Sequence, residues 1–266
     1  MRLSKFLFLI AVFFVFFSST KVNAEYGNSP VHWGFKKGEN EEQADAGKPL
    51  DDMLNRLGAY YKGDPTKKDI YLTFDNGYEN GYTGKILDIL KKEKVPAAFF
   101  ITGHYIESAP DLVKRMAAEG HTIGNHSWFH PDMTTISNER IAKELEMVRE
   151  GTEKLTGLKT MTYLRPPRGI FSERTIKVAN QQGYVHVFWS LAFKDWIVEQ
   201  QKGSQYAYDN IMKQIHPGAI LLLHTVSKDN AEALEKVIQD LKSRGYTFKS
   251  LDDYMLSQLF ENVMLY

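Results

Sequence analysis

The fold is decided by Ile70-Tyr71-Leu72-Thr73-Phe74-Asp75, a stretch of apolar, β-branched and aromatic residues that ends abruptly in a carboxylate. This composition is typical of a buried strand. Six further stretches of the same kind follow it, and helical patterns of apolar residues lie between them. The sequence therefore predicts seven strands, over residues 70–75, 97–103, 121–125, 161–165, 184–190, 219–224 and 246–250.

Strands that alternate with helices favour a parallel sheet whose outer face is covered by the helices. A closed barrel and an open doubly wound sheet both satisfy this pattern. An open nucleotide-binding sheet would carry a glycine-rich turn after its first strand, whereas Asp75-Asn76-Gly77-Tyr78-Glu79 follows here and no G-x-G-x-x-G occurs. We therefore expect an α/β barrel over residues 69–266.

Residues 25–68 lack this alternation, and we expect them to form an N-terminal extension that packs on the barrel. One short helix is predicted within the extension, ended by the turn-forming Gly63-Asp64-Pro65. Near the other end of the chain, Asn230 is the predicted N-cap of a longer helix. The short helix rests on the helical spacing of Leu50, Met53, Leu54 and Leu57.

The first 24 residues have the composition of a secretory signal peptide. Arg2 and Lys5 precede twelve consecutive apolar residues, 6–17, and Val22-Asn23-Ala24 supplies small residues at a cleavage site. Twelve residues are fewer than the roughly 20 that a spanning helix needs, so we expect export without a stable membrane span after cleavage. A retained anchor is the alternative.

Charge and cysteine content exclude several classes of function. The chain has 33 basic and 33 acidic residues, so it lacks the net positive charge that a nucleic-acid-binding domain carries. It has no cysteine, which excludes disulfides, thiolate metal sites and a cysteine nucleophile. No H-E-x-x-H or G-x-S-x-G occurs, which disfavours a zincin and a serine hydrolase.

Chemically active residues cluster at the carboxyl ends of the predicted strands, where parallel α/β folds have their active sites. Together they supply metal ligands, a base, an acid and orienting charges, which is what metal-assisted hydrolysis requires. The sequence thus predicts one site at this end of the barrel. Its candidate residues are Asp75, His126, His130, Arg165, Arg168, Asp195 and His224.

Two of these histidines have the spacing of a metal site. His126 and His130 are four residues apart, so on a helical turn both imidazoles would face one direction and could share a cation. Other candidates also have structural interpretations: Asp75 as a turn residue, His224 as a buried neutral histidine and Asp195 as a helix cap. Four further histidines lack such a context, and we interpret them as structural: His104, His121, His186 and His216.

Five motifs resemble, in order, those of the polysaccharide deacetylases, the NodB-homology carbohydrate esterases. The resemblance extends over about residues 69–254, and it implies a distorted seven-stranded β/α barrel. The motifs are Thr73-Phe74-Asp75-Asn76-Gly77, His126-Ser127-Trp128-Phe129-His130, Arg165-Pro166-Pro167-Arg168-Gly169, Asp195-Trp196 and Leu222-Leu223-His224.

The resemblance implies a role for each matching residue. Asp75 would be the general base, oriented by Arg165, and His224 the general acid, held in its tautomer by Asp195. His126 and His130 would bind one divalent cation, with zinc as the expectation. The backbone N–H of Arg168 would help to stabilise the oxyanion, and Trp196 and Leu222 would line the acetyl pocket.

One position departs from the family pattern. The usual motif has a second aspartate that binds the metal, and here that position is Asn76. An amide oxygen is a weaker ligand for a hard cation than a carboxylate, so we expect weak metal binding.

A closer resemblance is to a subgroup, the sporulation N-acetylmuramic acid deacetylases, which share Asn76. It rests on the run TFDNGYENGYT at residues 73–83, on Trp33-Gly34-Phe35, on residues 164–169 and 187–189, and on Gln201-Lys202-Gly203. The subgroup implies action on peptide-free muramoyl strands of peptidoglycan, leading to muramic δ-lactam in spore cortex. Separately, we expect an exported monomer. Because guanidinium pairs well with carboxylates, Arg168 could read the lactyl group of muramic acid.

Three alternatives stay open at this point. The first is a deacetylase of chitin or N-acetylglucosamine. The second, motivated by Asn76, is a catalytically silent glycan-binding module, although binding alone would need neither Asp75 nor His224. The third is a glycosidase that uses Asp75 and Asp195 as its two carboxylates, which leaves His126 and His130 without a role.

Overall fold

The computed structural model describes residues 26–263, and the side chains of residues 26–259. The predicted signal peptide, residues 1–24, lies outside the described residues. Within residues 26–263 no helix combines the length and the apolar character needed to cross a membrane.

Nine strands and nine α-helices make up the described chain. The strands are Val31–His32 (β1), Asp69–Asn76 (β2), Ala98–Ile101 (β3), Thr122–Asn125 (β4), Tyr163–Leu164 (β5), Ile170–Phe171 (β6), Val185–His186 (β7), Ala219–His224 (β8) and Thr247–Phe248 (β9). The helices are Lys48–Leu57 (α1), Thr83–Glu93 (α2), Gly103–Ser108 (α3), Pro110–Ala118 (α4), Asn138–Thr156 (α5), Glu173–Asn180 (α6), Ser204–Gln214 (α7), Lys228–Ser243 (α8) and Leu251–Val263 (α9).

Seven of the strands form one parallel sheet, with the order β7-β5-β4-β3-β2-β8 and with β9 also paired to β2. Six of them lie within their predicted segments and β2 extends its segment by one residue at each end, so the α/β prediction is confirmed. The central strand, β2, is buried along almost its whole length, and Phe74 stacks on Phe99 of β3 with ring centroids 5.1 Å apart. A strand buried on both faces needs the continuous apolar sequence that identified it.

The sheet curls into a distorted barrel, and isolated bridges span the gap between its edges β7 and β8. Leu191, beyond the end of β7, bridges Leu221 of β8. Residues from the N-terminal segment complete the seam: Tyr60 bridges Val187, and Lys62 bridges Ala219. The wall of the barrel therefore includes a piece of chain that precedes β2.

The N-terminal segment, residues 26–68, is also held by an aromatic cluster. The Trp33 ring lies 4.8 Å from Phe188 and 4.9 Å from Tyr61, measured between ring centroids. Its indole N–H donates to the carbonyl of Trp189 at 3.0 Å, and β1 pairs with β6 in antiparallel register. The boundary at residue 68 stays a prediction.

Two helix ends differ from expectation. Helix α1 ends at Leu57 because Gly58 adopts a left-handed conformation (φ 66°), so the chain turns before Gly63-Asp64-Pro65 is reached. Helix α8 begins after Ser227, whose hydroxyl accepts the N–H of Asn230. The prediction that Asn230 caps this helix was wrong, because a serine three residues earlier takes that role.

Candidate active site

A cavity of about 740 Å³ opens at the carboxyl ends of the parallel strands. Its lining includes residues from β2, β8 and the segments that follow β3, β4 and β5. Seven of the ten predicted site residues line it: Asp75, His126, His130, Arg168, Trp196, Leu222 and His224. The other three, Asn76, Arg165 and Asp195, are buried and make hydrogen bonds described below.

The Asp75 carboxylate is held by the fully buried Arg165. Nη1 of Arg165 donates to Oδ1 of Asp75 and to the hydroxyl of Thr73, both at 2.8 Å. Its other nitrogens donate to the carbonyls of Val187 and Phe188. Burial alone would raise the pKa of Asp75, but the nearby Arg165 guanidinium opposes this, helped by His126 and His224, and the pKa lies below its ordinary value. Asp75 is therefore ionised at neutral pH.

His126 and His130 bring two ring nitrogens together. The Nε2 atoms lie 3.2 Å apart, and Nε2 of His126 lies 3.6 Å from Oδ2 of Asp75. Nδ1 of His126 donates to the carbonyl of Arg165 at 2.8 Å, so the neutral ring has its lone pair on Nε2. Burial lowers the pKa of both rings, to about 4 for His130, where His126 adds to the effect. Both imidazoles are thus neutral, as metal ligands must be.

The two histidines do not lie on a helical turn. Residues 126–130 form a loop in which Ser127 (φ 62°) and His130 (φ 55°) are left-handed. The side-chain oxygen of Asn125 accepts the N–H of Ser127, and Oε2 of Glu144 accepts the N–H of Phe129 at 2.7 Å. The two imidazoles converge as predicted, but the prediction that a helical turn brings them together was wrong, because they lie on a loop.

His224 and Asp195 form a second hydrogen-bonded pair. Nδ1 of His224 lies 2.7 Å from Oδ1 of Asp195, and the backbone N–H of His224 donates to Oδ2 at 2.9 Å. The side-chain amide of Asn230 donates to the same Oδ2. Burial lowers the pKa of His224, but the Asp195 carboxylate, helped by Asp75, opposes this, and the net pKa is raised. Because Nδ1 of His224 is bonded to Asp195, Nε2 is the ring nitrogen left for the cavity.

Asn76, the last residue of β2, is fully buried. Its amide nitrogen donates to the hydroxyl of Thr225 at 2.8 Å, while its amide oxygen has no hydrogen-bond partner. A buried acceptor without a partner is costly, and this oxygen is therefore available as a ligand.

The donor set fits a divalent cation, although it is small. In residues 26–263 no group of three or more His, Asp, Glu or Cys side chains is arranged to hold a metal ion. The convergent donors are the two neutral imidazoles, and the orphaned amide oxygen of Asn76 can supplement them. Imidazole nitrogens suit zinc and similar metals, and weak binding stays a prediction.

Arg168, Trp196 and Leu222 lie on the cavity wall. Arg168 is exposed and left-handed (φ 57°), within a short 3₁₀ turn, Pro167–Gly169. The Trp196 ring is 47% exposed and lies 5.5 Å from the ring of His224. Gly169 after Arg168 is required, because an added Cβ would come 2.9 Å from both Trp33 and Trp189.

The interpretation of His104 as structural was wrong, since its side chain is exposed and lines the cavity. His121, His186 and His216 are buried away from it. Sequence reasoning also missed several residues of the wall, four of them aromatic and one a glutamate, because none of them stands in a metal-ligand or acid–base pattern. These are Tyr78, Glu107, Trp128, Phe129 and Trp189.

Comparisons with known proteins agree with this geometry. The family model described as polysaccharide deacetylase matches residues 62–187. The chain is 61% identical over 257 residues to an uncharacterized 30.6 kDa protein of Geobacillus stearothermophilus, which covers 97% of this chain and 96% of that protein.

A second relative is named for an activity. The chain is 55% identical over 231 residues to the peptidoglycan-N-acetylmuramic acid deacetylase PdaA of Bacillus subtilis, covering 87% of this chain and 88% of that protein. The solved structure of PdaA, described as a family 4 carbohydrate esterase, matches with a TM-score of 0.86 over 87% of this chain and 99% of that chain.

Proposed function

The chain belongs to the polysaccharide deacetylase family, and we propose that it hydrolyses the N-acetyl group of N-acetylmuramic acid residues in peptidoglycan. The observation that carries this proposal is that a held carboxylate and a held imidazole lie side by side on adjacent strands and line one cavity. Asp75 and His224 are register partners on β2 and β8, and both line the cavity together with the His126–His130 pair.

Asp75 serves as the general base. Its lowered pKa keeps it ionised, and the Arg165 bond to Oδ1 leaves Oδ2 to take a proton from water. The fixed guanidinium orients the carboxylate toward the cavity.

His224 serves as the general acid. An amide nitrogen cannot leave as an anion, so the departing sugar amine must be protonated. Asp195 holds Nδ1 of His224, which leaves Nε2 to deliver the proton, and the raised pKa favours the protonated form. The backbone N–H of Arg168 would stabilise the oxyanion that develops.

His126 and His130, with the amide oxygen of Asn76, would hold a divalent cation, and zinc is the metal we expect. When bound, such a cation polarises the acetamide carbonyl and lowers the pKa of water. Trp196 and Leu222 would form the apolar wall against the acetyl methyl group.

The identity of the sugar and the cellular location of the reaction are also part of this proposal. Arg168 is exposed on the cavity wall, where its guanidinium can pair with the lactyl carboxylate that distinguishes muramic acid from glucosamine. We infer that peptide-free muramoyl strands are the substrate and that the product leads to muramic δ-lactam in spore cortex. The predicted signal sequence supports export to the cell wall, and we infer that the protein acts there as a monomer.

Acetate release from purified protein tests the proposal. The substrates are peptide-free muramoyl glycan and a chitin oligomer, each assayed with chelator and with added divalent cations. Cation-dependent release from the muramoyl glycan alone is the expected result, and Asp75→Asn should abolish it. Acetate release from chitin alone would mean that the substrate is chitin and not muramoyl glycan. Cleavage of the glycan chain without acetate release would favour the glycosidase. Glycan binding without acetate release under any cation would favour the silent binding module.

A further inference from the structure

We propose that Phe129 is a preorganised stacking platform for a sugar ring next to the reacting residue of the glycan strand. The inference rests on the proposed function, because it assumes that the cavity holds a glycan. Phe129 is 62% exposed and lines the same cavity as Asp75 and His224. It is the most exposed of the large apolar side chains described.

The Phe129 ring is supported from the protein side. The guanidinium carbon of Arg140 lies 5.3 Å from the ring centroid, within cation–π range. Arg140 is in turn fixed by two hydrogen bonds to Oε1 of Glu144, at 2.6 and 3.0 Å. A long exposed arginine on a helix would ordinarily sample many rotamers, and here it is held beside one ring.

The backbone beneath the ring is fixed by the same carboxylate. Oε2 of Glu144 accepts the N–H of Phe129 at 2.7 Å, and the Glu144 side chain is fully buried. Burying a carboxylate is unfavourable unless both oxygens are satisfied. Glu144 plays no part in the acid–base chemistry, so its burial serves the loop that carries Phe129.

The rest of the cavity suggests what the platform receives. About 740 Å³ is typical of sites for ligands larger than a single amino sugar. Two other exposed aromatic residues, Tyr78 and Trp196, line the same space. Aromatic side chains combine an apolar face with low conformational cost, and the axial C–H groups of a pyranose ring present a matching apolar face. The occupant is therefore a neighbouring sugar of the same strand.

Substitutions of the Phe129 ring leave the side chains of Asp75 and His224 unchanged, so their effects on binding and on turnover can be measured separately. Phe129→Leu retains apolar cover for Arg140 but removes the flat face, whereas Phe129→Trp retains a flat face. We expect Phe129→Leu to raise KM for a muramoyl hexasaccharide by about fivefold at nearly unchanged kcat, and Phe129→Trp to restore it. Leu259→Ala, which truncates a comparably exposed side chain on α9, is the matched control.

Hexasaccharide affinity is also measured calorimetrically in an Asp75→Asn background, where no turnover occurs. Weaker binding by Phe129→Leu in that background supports the platform even if wild-type protein releases no acetate, so the two proposals fail separately. Unchanged affinity and KM in Phe129→Leu, or a lowered melting temperature as its only effect, would overturn the inference.

Discussion

Asp75 and His224 occupy paired positions on the adjacent parallel strands β2 and β8, so the proposed base and acid lie side by side in one sheet. Each is held from behind by an opposite charge: Arg165 bonds to Asp75, and Asp195 bonds to His224. The two pairs give the groups opposite protonation states, an ionised carboxylate and an imidazole that readily takes a proton. A base and an acid that differ in this way are what a two-step proton transfer needs.

Removing the Asp195 charge should change the pH profile in a definite direction. Asp195 raises the pKa of His224 against the effect of burial, so Asp195→Asn lowers that pKa. Because the acid acts when protonated, the alkaline limb of kcat should move to lower pH, and kcat should fall by about 10²-fold. Asp240→Asn, a change on the surface of α8, should leave the profile unchanged. An unmoved alkaline limb in Asp195→Asn would argue against His224 as the acid.

Restoring a carboxylate at position 76 should strengthen cation binding. In Asn76→Asp a charged oxygen replaces the orphaned amide oxygen, so affinity for Zn²⁺ should rise on the order of tenfold. Without cation the variant should melt earlier than wild type, because a second carboxylate is buried beside Asp75. Calorimetric titration and melting curves with and without Zn²⁺ measure both effects. His126→Ala should abolish the gain, and an equal affinity of wild type and Asn76→Asp would contradict the assignment.

Arg168 should act on substrate choice. Replacing it with glutamine removes the guanidinium that would pair with a lactyl carboxylate, so kcat/KM for muramoyl glycan should fall by about tenfold or more, and that for chitin fragments by less. Lys194→Gln removes an exposed charge that does not line the cavity and should affect neither substrate. Equal losses on the two substrates would dismiss the specificity role.

The N-terminal segment should contribute to stability as well as to the site. Trp33 contacts Tyr61 and Phe188 and bonds to the carbonyl of Trp189, whose side chain lines the cavity. Trp33→Ala should lower the free energy of unfolding by about 3 kcal/mol, with a loss of activity because Trp189 loses its support. Urea unfolding measures the change, with the exposed Tyr26→Ala as control. Equal stability of the two variants would show that the cluster contributes little.

The sequence was most informative where a chemically active side chain directly follows a buried strand. Strand β2 could be predicted because it is apolar on both faces. The Asp75 carboxylate at its end could be predicted as a site residue, because an unpaired charge is unfavourable in an apolar core. The shorter strands were overestimated: 184–190 was predicted, and only Val185–His186 is paired as the edge strand β7. At the edge of a curled sheet the ladder stops early, whereas β-propensity continues beyond it.

Local reasoning failed where distant residues decide a conformation. The loop at His126 and His130 takes its shape from Glu144, which a periodicity argument assigns only to the charged side of a helix. Asn230 lies inside α8 behind the cap Ser227, and its side chain instead donates to Asp195, 35 residues earlier in the chain. His104 lies in the cavity wall because α3 begins at Gly103, directly after β3, and that placement depends on the tertiary fold.

The seam of the barrel has a consequence for how the chain can assemble. Lys62 bridges Ala219, and β2 pairs with β8 and β9, so early and late parts of the sequence share one wall. Contacts this distant in sequence form slowly, because a long loop must close before they stabilise anything. A polypeptide that crosses a membrane N-terminus first cannot close this wall until Ala219 has emerged. Translocation would then be complete, or nearly so, before the folded state could resist it.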